Sequence, residues 1–207
     1  MKKIYLLLSG LLPIIAFAQP TITQSDLPGA GLEIRMAKDT AYHVAVPGGG
    51  TNQTWNYASW TYTQVDTTGF VSATGTPYAG LFPLANLATY SPSSNTWEYF
   101  ISNSSGFASN GARTSSLTIV FNPAEMYFPV PFTYGSHLVT TARAQIDTII
   151  SLLAYRQVLT IQNIFDGDAY GTLNIPGNSI SNVLRMKRAL HEADSTFVNP
   201  GLSLIHI

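Results

Sequence analysis

The chain contains no cysteine and few charged residues. The first absence excludes several kinds of functional site, and the second argues against long solvent-exposed helices. Without cysteine it holds no disulfide, thiolate zinc site, iron–sulfur cluster or cysteine nucleophile. Charged residues make up 10% of its 207 residues, too few for long exposed helices that rely on Glu–Lys pairs. We expect no nucleic-acid partner, since the one dense basic stretch is Arg185, Lys187 and Arg188. The simplest interpretation of that stretch is the solvated face of one element.

The first residues have the pattern of a secretory signal. Lys2 and Lys3 precede an apolar stretch over residues 4–17, which ends in the small-x-small sequence Ala16-Phe17-Ala18. The apolar run is too short for a transmembrane anchor. The sequence therefore predicts a signal peptide at residues 1–18, no transmembrane segment in the mature chain, and an export machinery as partner. The mature protein is expected to pass through the periplasm and to be secreted or held at the cell surface.

Alternation of apolar and polar residues is the main structural signal. Leu32, Ile34 and Met36 alternate with charged residues. The apolar residues at 117, 119 and 121 of "LTIVF" share one face, and "YRQVLTIQNIF" (155–165) is apolar on both faces in places. Gly-, Pro- and Asn-rich stretches separate these runs at spacings typical of short strands. This pattern predicts an all-β fold, an antiparallel β-sandwich of the jelly-roll or immunoglobulin-like kind, as one domain over residues 19–201.

The stretch "SNVLRMKRALHEADS" (181–195) has two interpretations. As a helix it has a capping residue, Asn182, and an i,i+4 ion pair between Arg188 and Glu192. As a strand it places Leu184, Met186 and Leu190 on one face. Local propensity favours the helix, and the resemblance described below favours the strand.

Asp166 and Asp168, in "DGD", are the best candidate metal ligands. Two carboxylates two residues apart suit Ca²⁺, which prefers oxygen donors. The competing interpretation is a tight turn in which Asp and Gly satisfy the backbone geometry. The histidines do not have metal-site spacing; they are His43, His137, His191 and His206. No other cofactor is indicated.

Aromatic residues give the candidate ligand-stacking positions. Trp55, Trp60 and Trp97 could form a platform for sugar rings, which would make extracellular carbohydrate or another cell-surface component the partner. The competing interpretation is that these rings fill the core.

No catalytic residue is marked out by its setting. Glu98 is flanked by two aromatic residues, but in a strand it would point away from both, toward solvent. No GxSxG nucleophile motif is present.

Four stretches together resemble a group of exported Bacteroidota proteins of unknown function. They are "ITQSDLPGAG" (22–31), "TWNYASW" (54–60, with Asn56 where the group usually has Asp), "FPVPFTYGSHL" (128–138) and "DAYGTLNIPGNSISNVLRMK" (168–187). Members of this group commonly end in a C-terminal sorting domain read by the type IX secretion machinery. The resemblance implies an exported β-fold and no particular reaction.

The last six residues, "LSLIHI" (202–207), resemble the translated adapter of transposase-based sequencing libraries. We therefore expect a non-biological tail at 202–207, a β-domain incomplete at its C-terminus and a gene that continues past Gly201. The alternative is a genuine terminal strand.

These observations favour a non-enzymatic binding, adhesion or structural module. The alternative is an extracellular polymer hydrolase resembling glycoside hydrolases, with its catalytic groups on loops or in the missing C-terminal part. An enzyme predicts titratable groups that converge in a cleft, and a binding module predicts an exposed aromatic or polar patch.

Overall fold

The computed structural model describes residues 19–38, 47–150, 153–198 and 202–205. Strands dominate these ranges, and the helical segments in them are two short 3₁₀ turns, Gln24–Asp26 and Ala79–Leu81. The predicted all-β class is confirmed. Neither 3₁₀ turn has the length or apolar character needed to cross a bilayer. The predicted signal peptide (1–18) lies outside the described residues, as do His43 and His206.

Fourteen strands follow one another along the described residues. They are β1 (Thr21–Ile22), β2 (Glu33–Lys38), β3 (Gly50–Asn56), β4 (Gln64–Gly69), β5 (Val71–Ser72), β6 (Leu87–Ser91), β7 (Thr96–Asn103), β8 (Gly106–Arg113), β9 (Thr118–Pro129), β10 (Phe132–Thr133), β11 (His137–Ile150), β12 (Leu153–Ile175), β13 (Asn178–Val198) and β14 (Leu202–Ile205).

Ten of these strands form one large, mainly antiparallel sheet. Its order is β14-β13-β12-β11-β9-β8-β7-β6-β5, so strands that follow each other along the chain are mostly neighbours. The exception is β3, which pairs with β12 in parallel. Two further ribbons, β1-β10 and β2-β4, have two strands each.

The ambiguous stretch 181–195 is strand. It lies within β13, which pairs antiparallel with β12 from Tyr155↔Val198 to Ile175↔Asn178. A turn at Pro176 and Gly177 joins the two strands, and Gly177 has a φ of +74° there. Pairing along the whole neighbouring strand overrides the local helix propensity of this segment.

The interpretation of residues 166–168 as a tight turn is wrong, because they lie inside β12. Gly167 is required there by a close approach of another backbone: a Cβ at this position would lie 2.2 Å from the carbonyl oxygen of Thr133. The Gly167 N–H donates to the Ser136 carbonyl, and the Gly167 carbonyl accepts from the Gly135 N–H. Gly167 therefore permits this close backbone contact, and the pairing register of β12 shifts just after it, at a β-bulge between Gly167 and Ala169.

One ion pair crosses the large sheet. Arg188 of β13 contacts Glu125 of β9 at 2.5 Å, although β11 and β12 lie between these strands in the sheet. In a flat sheet the two strands would be about 14 Å apart, so the two long side chains reach toward each other across β11 and β12. The Arg188 guanidinium carbon also lies 5.0 Å from the ring centre of Tyr127.

Two aromatic clusters form the core between β5 and β9. In the first, Phe70, Leu87, Phe100 and Phe107 are each less than a tenth exposed. In the second, Phe82 stacks on the fully buried Tyr99 with ring centres 4.2 Å apart. These apolar side chains explain how a chain without disulfides is stabilised.

The predicted tail is partly described. Leu202–Ile205 forms β14 and pairs with residues 195–198 of β13. Any short alternating segment beside a free strand edge pairs in this way, so the pairing does not distinguish an adapter from a natural strand.

Candidate ligand-binding site

The candidate site is built where β3 meets β12. Gly171 allows this junction, because a Cβ there would lie 1.8 Å from the carbonyl oxygen of Gln53. The two strands run parallel, and Trp55 of β3 lies beside Leu173 of β12. The segment that follows β3 is bound to the same strand, since the Tyr57 N–H donates to the Asn174 carbonyl at 2.8 Å.

Arg185 of β13 connects the two sides of the junction. Its Nε and Nη2 donate to the two carboxylate oxygens of Asp168, at 2.8 and 2.7 Å. Its Nη1 donates to the Pro47 carbonyl at 2.6 Å, just before β3. The side chains of Arg185 and Asp168 are 18% and 21% exposed, so this bidentate pair is largely removed from solvent.

The charges of Arg185 and Asp168 stabilise each other. The hydrogen bonds from Arg185 lower the pKa of Asp168, and the nearby positive charges of Arg185 and Lys187 act in the same direction. The hydrogen bond to Asp168 in turn raises the pKa of Arg185. Lys187 Nζ lies 3.7 Å from Asp168 Oδ2 with an exposed side chain, so two cations surround one carboxylate.

Trp55 is the buried aromatic residue of the site. It is 6% exposed, and the Arg185 guanidinium carbon lies 5.8 Å from its ring centre, within the range of a cation–π contact. Its indole Nε1 is buried without a hydrogen-bond partner among the described residues. Trp55 therefore agrees with the core interpretation of the tryptophans.

Trp60 is exposed, in contrast. A turn follows β3, in which the Trp60 N–H donates to the Tyr57 carbonyl and the Ala58 N–H donates to Asn56 Oδ1. This turn brings the rings of Tyr57 and Trp60 to a centre-to-centre distance of 5.0 Å, tilted by 33°. Trp60 is 39% exposed and the nearby Tyr62 is 60% exposed.

The Tyr57–Trp60 platform begins two residues after Trp55, the ring that the Arg185 guanidinium contacts. Of the predicted site residues, the structure thus brings Asp168 and Trp55 together through Arg185, with Trp60 on the neighbouring turn.

Asp166 is separate from this group. Its Oδ1 lies 2.6 Å from Nδ1 of His137, and both side chains are about half exposed. No cluster of three or more His, Asp or Glu side chains with metal-site geometry exists among the described residues. Calcium binding by Asp166 and Asp168 stays a prediction, and a calcium ion at Asp168 would have to displace the Arg185 guanidinium.

Trp97 lies on β7, in the other half of the large sheet. Its ring centre is 5.0 Å from that of Tyr90 and 6.5 Å from that of the buried Tyr99. No ring contact joins Trp97 to Trp55 or Trp60 in the described ranges. As predicted, the neighbouring Glu98 is exposed.

The sequence did not identify the two arginines. The interpretation of residues 185–188 as a solvated face holds for Lys187, which is 60% exposed, and is wrong for Arg185 and Arg188. Arg188 Nη2 donates to the buried Glu125, and its Nε donates at 2.7 Å to Asn163, which is fully buried. The sequence offered one hint that these arginines are not simply solvated: they lie three residues apart in a segment rich in apolar residues. Their partners could not be identified, because those residues lie far away in the sequence.

No protein-family model matches the chain, and neither a search of curated proteins nor a search of solved structures returns a match.

Proposed function

We propose that this chain is an exported β-domain that binds extracellular carbohydrate at the turn after β3. The observation that carries the proposal is the Tyr57–Trp60 pair, in which Trp60 is exposed and Tyr57 is half-buried. Flat, partly exposed aromatic rings present an apolar face on which the C–H groups of a sugar ring can pack.

The polar groups at the β3–β12 junction also support a sugar ligand. Lys187 is exposed and Asp168 keeps about a fifth of its side chain accessible. Donors and acceptors of this kind bind hydroxyl groups, and aromatic rings pack on the apolar face of a sugar. Because Arg185 is held by Asp168 and Pro47, its guanidinium and the Asp168 carboxylate are already ordered before a ligand arrives.

The proposed location of the protein follows from its sequence. The signal pattern at residues 1–18 supports export, and the resemblance to exported Bacteroidota proteins supports the type IX route to the surface or medium. A carbohydrate-binding module would meet its ligands in those places. Mass spectrometry of the exported protein tests this part, since we expect Gln19 as its first residue.

Retardation in native gels that contain soluble polysaccharides tests the binding. We expect the wild-type protein to be slowed by at least one polysaccharide of a neutral and acidic panel, and Trp60→Ala to migrate as in the empty gel. Tyr90→Ala is the matched control, because Tyr90 is an exposed aromatic residue (43%) on the distant strand β6. Equal retardation of all three proteins, or of none, would contradict the proposal.

The same panel tests the hydrolase alternative. Release of reducing ends from a polysaccharide incubated with the protein would establish it. Among the described residues one carboxylate is less than a tenth exposed, Glu125, and it is already paired with Arg188.

A further inference from the structure

The ribbon of β2 and β4 is exposed to an unusual degree. Every residue of β2 is exposed: Ile34 and Met36 on one of its faces are 37% and 43% exposed, and Leu32, just before the strand, is 43% exposed. Within the described residues neither strand pairs with any strand except the other. Two-stranded ribbons are marginally stable in water, and three or more strands with an apolar face are needed for independent stability.

The hydrogen bonds at the start of the ribbon show which backbone groups face outward. The Gly31 N–H donates to the Phe70 carbonyl, and the Phe70 N–H donates to the Leu32 carbonyl. With a φ of +90° at Gly31, this is a glycine bulge that leaves Leu32 bonded to the β4 side. Alternation then directs the N–H and C=O groups of Glu33 and Arg35 to the free edge of β2.

We propose that the free edge of β2 pairs with β2 of a second copy of the chain, antiparallel, about a two-fold axis at Ile34. Glu33 then lies opposite Arg35 of the second copy, and Arg35 opposite its Glu33. On the other face Leu32 lies opposite Met36, and Ile34 opposite Ile34. The result is a four-stranded sheet with complementary charges on one face and an apolar stripe on the other.

Neighbouring registers are worse. Moving the two-fold axis to Glu33 places two glutamates opposite each other, and moving it to Arg35 does the same for two arginines. Like charges directly opposite each other destabilise a strand pair. The free edge of β4 offers no such complementarity, because a two-fold axis at Thr67 pairs Asp66 with Thr68, and one at Asp66 pairs two carboxylates.

Charge exchange tests the pairing. Neither Glu33 nor Arg35 forms a side-chain ion pair among the described residues, so changing them leaves the described ion pairs of the fold intact. Sedimentation equilibrium of the purified protein from micromolar to millimolar concentration should show a dimer. Glu33→Arg alone and Arg35→Glu alone should each weaken it about tenfold or more, since each places like charges opposite twice.

The double variant Glu33→Arg/Arg35→Glu should restore the dimer, because the pairs are complementary again. Circular dichroism spectra of all variants report whether each one folds. A wild-type monomer at millimolar concentration, or a folded double variant as weak as the single variants, would overturn the proposal.

Single cysteines test the register, because the chain contains none of its own. Ile34 faces its own copy in a non-hydrogen-bonded pair, where Cα atoms are about 4.5 Å apart and a disulfide can form. Under mild oxidation Ile34→Cys should therefore cross-link faster than Glu33→Cys or Arg35→Cys. Each of those two cysteines lies two residues along the strand from the same cysteine in the second copy. Fastest cross-linking through position 33 or 35 would overturn the register.

Discussion

Arg185 holds Asp168 with two hydrogen bonds of 2.8 and 2.7 Å, and with a third, of 2.6 Å, it holds the carbonyl of Pro47. One side chain therefore joins β13, the bulge of β12 and the segment that leads into β3. A planar guanidinium can do this because its donors point in fixed, divergent directions. The position of the Tyr57–Trp60 platform depends on this connection, since the platform follows β3 directly.

Arg185→Ala should destabilise the protein by about 1 to 3 kcal/mol, because it leaves a largely buried carboxylate without its partner and removes the contact with Trp55. The matched control is Arg156→Ala, which breaks an ion pair with Asp147 whose side chains are 52% and 56% exposed. Exposed pairs of this kind contribute little to stability, because water screens them, so we expect a smaller loss for this control. Chemical denaturation measures both, and equal losses would contradict the assigned role of Arg185.

Asp168 should make the stability of the protein depend on pH in acid. Its pKa is lowered in the folded state by the hydrogen bonds from Arg185, whereas in the unfolded chain it returns to about 3.9. The stabilisation is therefore fully present above the unfolded pKa and is lost as the pH falls through the folded pKa.

Asp168→Asn isolates this contribution. We expect the difference in unfolding free energy between wild type and variant to be largest near neutral pH and to shrink below about pH 4. Urea denaturation at a series of pH values measures it. A difference that does not change with pH would show that Asp168 contributes no charge-dependent stability.

Gly171→Ala should disturb the junction of β3 and β12. The added Cβ would overlap the Gln53 carbonyl oxygen, so β3 must move, at a cost of about 2 kcal/mol or more. Because β3 carries Trp55, we also expect a red shift of tryptophan fluorescence as that ring meets water. Gly80→Ala is the control, since nothing lies within 4 Å of its Cβ, and unchanged stability and fluorescence in Gly171→Ala would contradict the assignment.

The all-β fold was predictable because alternation is a local property of the chain. Ile34 and Met36 alternate with charged residues in the sequence, and they lie on one face of β2. The stretch 181–195 was not decided locally, because its helix propensity is overridden by pairing with β12, which is distant information. The role of Gly167 was not predictable locally either, because glycine is required there by a backbone contact with Thr133 and not by a turn.

The candidate site was predictable only in part. Trp55, Trp60 and Asp168 were recognisable by residue type, but a tryptophan in the core and one on the surface look alike in a sequence. Arg185 was not recognisable, because its partners are 17 and 138 residues away. A basic residue is expected at the surface unless a specific partner compensates its burial.

The central claim is that carbohydrate binds on the Tyr57–Trp60 platform. Its most direct test is calorimetric titration of the wild type, Trp60→Ala and Tyr90→Ala with an oligosaccharide derived from a polysaccharide that slows the wild type in the native gel. Carbohydrate binding on the Tyr57–Trp60 platform predicts saturable heat for the wild type and Tyr90→Ala, and a loss of affinity of about tenfold or more for Trp60→Ala. Equal affinity of Trp60→Ala and wild type would contradict it.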